Sequence, residues 1–159
     1  MIFCVHSFIH GEGSEKMNHQ IFEERIQTFI ERRQKEAGTI NAMMKMHLIS
    51  SDYDQKTVVL AFDVEAWQMN PAGNMHGGML ATALDITMGC AAYTSIEATF
   101  TPTISMSLNF VSSVKAGDVL EIEGICDHVG SRLAQVRGIA RVHGKVVATA
   151  NGSYVINNR

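Results

Sequence analysis

The chain is 159 residues long, 46% apolar and 18% charged, which is enough apolar material for the core of one domain and too little length for a multidomain machine. Its 13 basic and 16 acidic residues give a formal net charge of -3, which supplies no drive toward nucleic acid or an anionic membrane. The three cysteines, Cys4, Cys90 and Cys126, are odd in number and far apart. They fit neither a disulfide framework nor a Cys-x-x-Cys metal or redox site, so the expected compartment is the reducing cytoplasm.

Residues 1–10 are apolar but too short for a membrane span, and they lack a basic n-region and a small-residue cleavage site. Gly11, Gly13 and Ser14 follow, then Met17 and Asn18, so residues 1–16 are expected to be a flexible leader and 17–159 a single domain. His6 and His10 have the spacing of two ligands on a helical turn, but a loose tail is the simpler reading, and no metal is expected. Asn18 is a helix cap, and Phe22, Ile26, Phe29 and Ile30 recur at helical spacing until Gly38 stops the pattern after Ala37. Val58, Leu60, Phe62 and Val64 alternate with smaller or polar residues as in a half-buried strand, and residues 44–50 form its weaker hairpin partner.

From His76 to about Ser95 apolar residues cover every face, which requires a helix buried nearly all round. Four further strands are expected at 103–111, 119–129, 132–143 and 145–156, joined by turns at Ala116-Gly117-Asp118, Gly130-Ser131 and His143-Gly144. Connections this short demand antiparallel neighbours. The first of these strands places Ile104, Met106, Leu108 and Phe110 on one face, toward the core, and Thr103, Ser105, Ser107 and Asn109 on the other. The predicted class is α+β: an antiparallel sheet of five or six strands curled round one central helix.

Two places break this pattern. Residues 70–78, Asn-Pro-Ala-Gly-Asn-Met-His-Gly-Gly, deliver a turn and then a helix N-terminus, where free backbone N–H groups collect. Gly77 and Gly78 are poor helix formers, and close approach of another group to the backbone is a use for them, as in an oxyanion hole; tight helix-to-sheet packing is the alternative. The second is Asp85, the only carboxylate between His76 and Ile96, with no lysine or arginine from Thr57 through Val114. An unpaired charge inside such a helix marks a functional group, unless that stretch opens on a polar groove.

Gly77 and Asp85 lie eight residues apart, about 12 Å along one helix, too far to act together on one carbonyl carbon. If both are catalytic, Gly77 works with Asp85 of a symmetry mate, which requires a two-fold dimer with its helices side by side.

The run Asn70-x5-His76-Gly77-Gly78-x6-Asp85, on a long helix after two strands and before four, resembles the hotdog-fold acyl-CoA thioesterases of the phenylacetate-pathway (PaaI) type over about residues 40–156. The resemblance implies that Asp85 is general base or nucleophile, that the Gly77 amide polarises the thioester carbonyl, and that Asn70 positions substrate or water. It also implies a hydroxyl residue on the third strand assisting the acid, best matched by Thr103, and a homodimer, commonly a dimer of dimers. His76, with Gly78, is assigned to the substrate-binding rim, orienting the helix start and not acting as a base.

His47, His128 and His143 have no companions at ligand spacing. Arg132, Arg137 and Arg141 alternate along one strand face and either meet the phosphates of coenzyme A or form a solvated outer face. The first helix, with Arg32, Arg33 and Lys35, has no helix-turn-helix partner, so no nucleic-acid or membrane partner is expected. The expected activity is hydrolysis of an acyl-CoA thioester to free acid and coenzyme A without a cofactor, with the ten methionines offering adaptable pocket walls. A non-catalytic acyl-CoA sensor and a hotdog hydratase or dehydratase are the alternatives.

Overall fold

The computed structural model describes residues 17–96 and 99–157; the expected leader, Cys4, His6 and His10 lie outside them. Helix α1 (His19–Gln34) starts where Asn18 Oδ1 accepts the Ile21 N–H at 3.0 Å and buries Phe22, Ile26, Phe29 and Ile30, the expected face. It ends three residues before Ala37, and the chain turns through Gly38 at φ +85°. A single-turn helix, α2 (Ile40–Met43), follows; it is too short for a periodic signal, and Thr39 caps it.

Strands β1 (Met46–Asp52) and β2 (Thr57–Asp63) form the first hairpin, with β1 shifted two residues past its predicted start. After the chain passes through a 3-10 turn (Ala66–Gln68), helix α3 (Gly77–Thr94) crosses the domain to β3 (Thr103–Phe110). Strands β4 (Val119–Val129), β5 (Leu133–Val142) and β6 (Lys145–Val155) then run as a meander, with the β5–β6 turn at His143 and Gly144, both at positive φ. All pairings are antiparallel in the order β1-β2-β4-β5-β6-β3, so the expected hotdog architecture of a six-stranded sheet round one helix is present.

The core lies between α3 and the concave face of the sheet, where Leu84, Met88, Leu60, Phe62, Leu120 and Ile122 are all fully buried. Glycines on the sheet set how deeply α3 seats. A Cβ on Gly124 would stand 2.9 Å from the Thr87 carbonyl oxygen, and one on Gly138 would stand 2.8 Å from Met88 Sδ. Because the group facing Gly124 is helix backbone and cannot rotate away, Gly124→Ala is expected to destabilise the fold by about 1–3 kcal/mol, read as a lower denaturation midpoint. At the other end of α3, Arg25 of α1 donates to the Tyr93 and Ile96 carbonyls at 2.6 and 3.0 Å and stacks on the Tyr93 ring, satisfying acceptors the helix terminus leaves open.

One strand departs from its expected faces. Thr103 pairs with Tyr154 and Ser105 with Ser153, so two residues of β3 answer one of β6, and Ile104 sits in a bulge. The bulge turns Thr103 from the polar outer face, where strict alternation put it, to the face that looks at α3. Met106 and Leu108 pack on the core as expected, whereas Ile104 and Phe110 are 54% and 56% exposed along this edge strand.

Candidate active site

The strap leading into α3 is pinned by its own backbone. Met75 N–H donates to the Val114 carbonyl and His76 N–H to the Gln68 carbonyl, each at 2.8 Å. Asn70 Oδ1 accepts the Ala72 and Asn74 N–H groups at 2.9 and 3.2 Å, closing a turn through Gly73 at φ +71°. That leaves the Asn70 amide nitrogen without a protein acceptor among the described residues. His76 is the N-cap, and its Nδ1 accepts the Gly78 N–H at 2.9 Å. The motif histidine thus saturates the second glycine's amide and fixes its own ring. Gly77 N–H, at the first helical position, has no acceptor among the described residues and borders a cavity of about 400 Å3 walled by Asn74, Leu80, Phe110 and Val114. The Phe110 ring lies over Gly77, 3.1 Å from where a Cβ would be.

Two turns along α3, Asp85 is half-buried. Its Oδ1 accepts two hydroxyls, from Thr103 at 2.8 Å and from Tyr154 at 3.1 Å. The β3 bulge brings the first and the β3–β6 register brings the second, since Thr103 and Tyr154 face each other across the ladder. Tyr154 is completely buried, and burial, with the negative charge of Asp85 added, raises its phenol far above the ordinary tyrosine range, so it remains a proton donor. Both donors converge on one oxygen, which leaves Oδ2 as the free, nucleophilic face of the carboxylate. Sequence reasoning missed Tyr154, because an aromatic residue on the inner face of a strand reads as core.

The structure therefore gathers Asp85, Thr103 and Tyr154 at mid-helix and Asn70, His76, Gly77 and Gly78 at the helix N-terminus, and within one chain it does not unite the two groups. It also brings toward this part of α3 a cation that the local sequence lacks: α1 carries Arg33 into the field of Cys90 and Tyr93 and, more weakly, of Asp85. The arginines on β5 are answered by carboxylates of β4, Arg137 by Asp127 at 2.9 Å and Arg141 by Glu123 at 3.0 Å, on the outer sheet face. Among the described residues, no three His, Cys, Asp or Glu side chains gather as a metal site, and no helix is long and apolar enough to cross a membrane.

The sequence pattern of the thioesterase superfamily matches residues 72–149, which hold the glycine pair, Asp85 and Thr103. A Pseudomonas aeruginosa protein provisionally named an esterase, PA0474, is 31% identical over 103 residues, 63% of this chain and 75% of that protein. The chain belongs to the thioesterase superfamily. The thioesterase is also similar in fold to the E. coli PaaI protein from the phenylacetic acid degradation operon. That match has a TM-score of 0.72 at 18% identity and covers 85% of this chain and 95% of that one. Against smu.793 from Streptococcus mutans, whose structure is bound to acetyl-CoA, the TM-score is 0.66 at 24% identity, over 72% and 90% of the two chains. As a thioesterase the chain is an enzyme whose general chemistry is hydrolysis of a thioester bond.

Proposed function

We propose that this thioesterase hydrolyses acyl-CoA to the free carboxylic acid and coenzyme A in sites shared between two copies of the chain. The observation that carries the reading is the division of labour along α3: a carboxylate with one oxygen doubly held at Asp85, and an uncommitted backbone N–H about 12 Å away at Gly77. A two-fold partner laid beside α3 brings its own Gly77 to this Asp85 and receives Asp85 in return. The edge strand β3 supports that arrangement, because Ile104, Phe110 and Val111 are 54%, 56% and 62% exposed on an unpaired sheet edge next to the helix.

In the assembled site the thioester carbonyl oxygen points at the partner's Gly77 N–H, where the positive end of the helix stabilises the charge that develops on it. Asp85 Oδ2 takes a proton from water as the water attacks, or attacks the carbonyl itself to give an anhydride that water opens; either way the thiolate of coenzyme A leaves. Asn70 presents its free amide nitrogen to substrate or water. His76 and Gly78 shape the rim, their mutual hydrogen bond leaving neither His76 Nδ1 nor the Gly78 amide for chemistry. That same bond weighs against a hydratase, which needs a histidine poised at the reacting carbons. A dimer of dimers would cover further sheet surface without altering the site.

Release of free thiol from a panel of acyl-CoAs, followed by a thiol reagent alongside enoyl-CoA absorbance, tests the reading. Thiol release supports it; a changed enoyl signal without thiol would establish a hydratase, and tight binding with neither would establish a sensor. Tyr154 enters as a positioning residue that aims Asp85. Tyr154→Phe removes one hydrogen bond to a charged group and is expected to lower kcat by about 10- to 100-fold with KM little changed. A purely structural tyrosine would lower thermal stability and leave kcat in place.

A further inference from the structure

Beside the Asp85 end of the site lies a second cavity, of about 200 Å3, between α1, the last turns of α3 and the segment entering β3, walled by Phe29, Arg32, Arg33, Tyr93, Phe100 and Thr101. It adjoins the chemistry in two ways. Asp85, Gly89 and Tyr93 follow one another at four-residue steps along one stripe of α3, and the Tyr154 ring that holds Asp85 packs on Gly89, 3.6 Å from where its Cβ would be. Thr101, 3.5 Å from the Gly89 carbonyl through its hydroxyl, is two residues before Thr103, which holds Asp85.

Its walls are largely aromatic, and its polar lining consists of two cations, Arg32 and Arg33, and two threonines, Thr99 and Thr101. The Arg33 guanidinium stacks on the Phe29 ring, 3.3 Å from its centroid, and among the described residues its one hydrogen bond is a loose one at 3.5 Å, to the Phe29 carbonyl. It forms no ion pair among the described residues, whereas Arg137 and Arg141 on the open sheet face each hold a carboxylate. Burial pulls Arg33 below the ordinary arginine value, opposed by Cys90 and Tyr93 and, least, by the charge of Asp85. A stacked, half-buried guanidinium with open N–H edges is the preferred receptor for a planar carboxylate. The cavity is smaller than the roughly 300–1,000 Å3 of sites that take a drug-sized ligand, so it suits the end of an acyl group and not the nucleotide arm of coenzyme A.

Resting on the acyl-CoA thioesterase reading, we infer that this cavity is the acyl-terminus subsite and that Arg33 selects acyl groups ending in a carboxylate. The CoA monothioester of a dicarboxylic acid presents a thioester to Asp85 at one end and a free carboxylate to Arg33 at the other.

The experiment compares adipyl-CoA with hexanoyl-CoA, equal in chain length and different only at the far end, in the wild-type enzyme, Arg33→Gln and Arg33→Lys. Turnover is read as kcat/KM and binding by calorimetry in Asp85→Asn. The expected adipyl-to-hexanoyl ratio is tenfold or more in the wild type, falls toward unity in Arg33→Gln and is partly kept in Arg33→Lys, which retains the charge and reports that the fold survives. A wild-type ratio at or below unity, or a ratio that Arg33→Gln leaves intact, overturns the subsite. The binding arm separates the two claims: preference for adipyl-CoA without turnover of either compound sinks the thioesterase reading and leaves the subsite standing, and turnover without preference does the reverse.

Discussion

Asp85→Asn is expected to lower kcat by about 10²- to 10⁴-fold, the usual worth of a positioned general base, while KM and thermal stability change little. The substitution is nearly isosteric, and the asparagine oxygen still accepts the Thr103 and Tyr154 hydroxyls that fix the side chain at 2.8 and 3.1 Å. What is lost is the anionic Oδ2, which neither donor occupies. The substitution leaves the strap before α3 and the cavity walls untouched, so binding of the proposed acyl-CoA substrate should persist and its complex should accumulate in this variant. An unchanged kcat would show that the carboxylate serves only to anchor β3 and β6 to the helix.

The second large effect is expected at Gly77, where proline removes the backbone N–H and adds a ring whose Cβ meets the same movable Phe110 side chain that an alanine would. Gly77 is the first residue of α3, the helical position at which proline is favoured, because its nitrogen has no intrahelical partner there. His76 before it has φ -61° and ψ 135°, the extended conformation a residue preceding proline requires. Gly77→Pro should therefore fold and lose about 10²- to 10³-fold in kcat, the cost of deleting one oxyanion donor. Gly77→Ala keeps the N–H and adds only a Cβ against the Phe110 ring, 3.1 Å away on a side chain 56% exposed and able to move, so it should lose far less. Equal losses in the two variants would assign the glycine to packing.

The parts of the molecule set by local pattern were legible in the sequence: the buried face of α1, the all-round apolar α3 and the turn-bounded β4, β5 and β6, because each rests on a periodicity repeated over eight or more residues. So was the pairing of an isolated carboxylate with a glycine-opened helix, since both interrupt that pattern. What escaped depends on contacts between segments. The bulge at Ile104 is a product of how β3 registers against β6, and without it alternation aims Thr103 away from the carboxylate it binds. Tyr154 carries no local mark of function, because only its position across the ladder from Thr103 makes its hydroxyl a partner of Asp85. Arg33 lies 52 positions before Asp85 in the chain, and the crossing of α1 over α3 brings it near.

Complementation between two dead variants probes the shared site most directly. Asp85→Asn and Gly77→Pro subunits, each inactive alone, are unfolded together, refolded as a mixture and assayed for thiol release. Random pairing makes about half the dimers mixed, and each mixed dimer joins an intact Gly77 amide of one chain to an intact Asp85 of the other in one of its two sites, so about one quarter of wild-type activity should return. A mixture that stays as inactive as its components, although mixed dimers have formed, would contradict a site built from two chains.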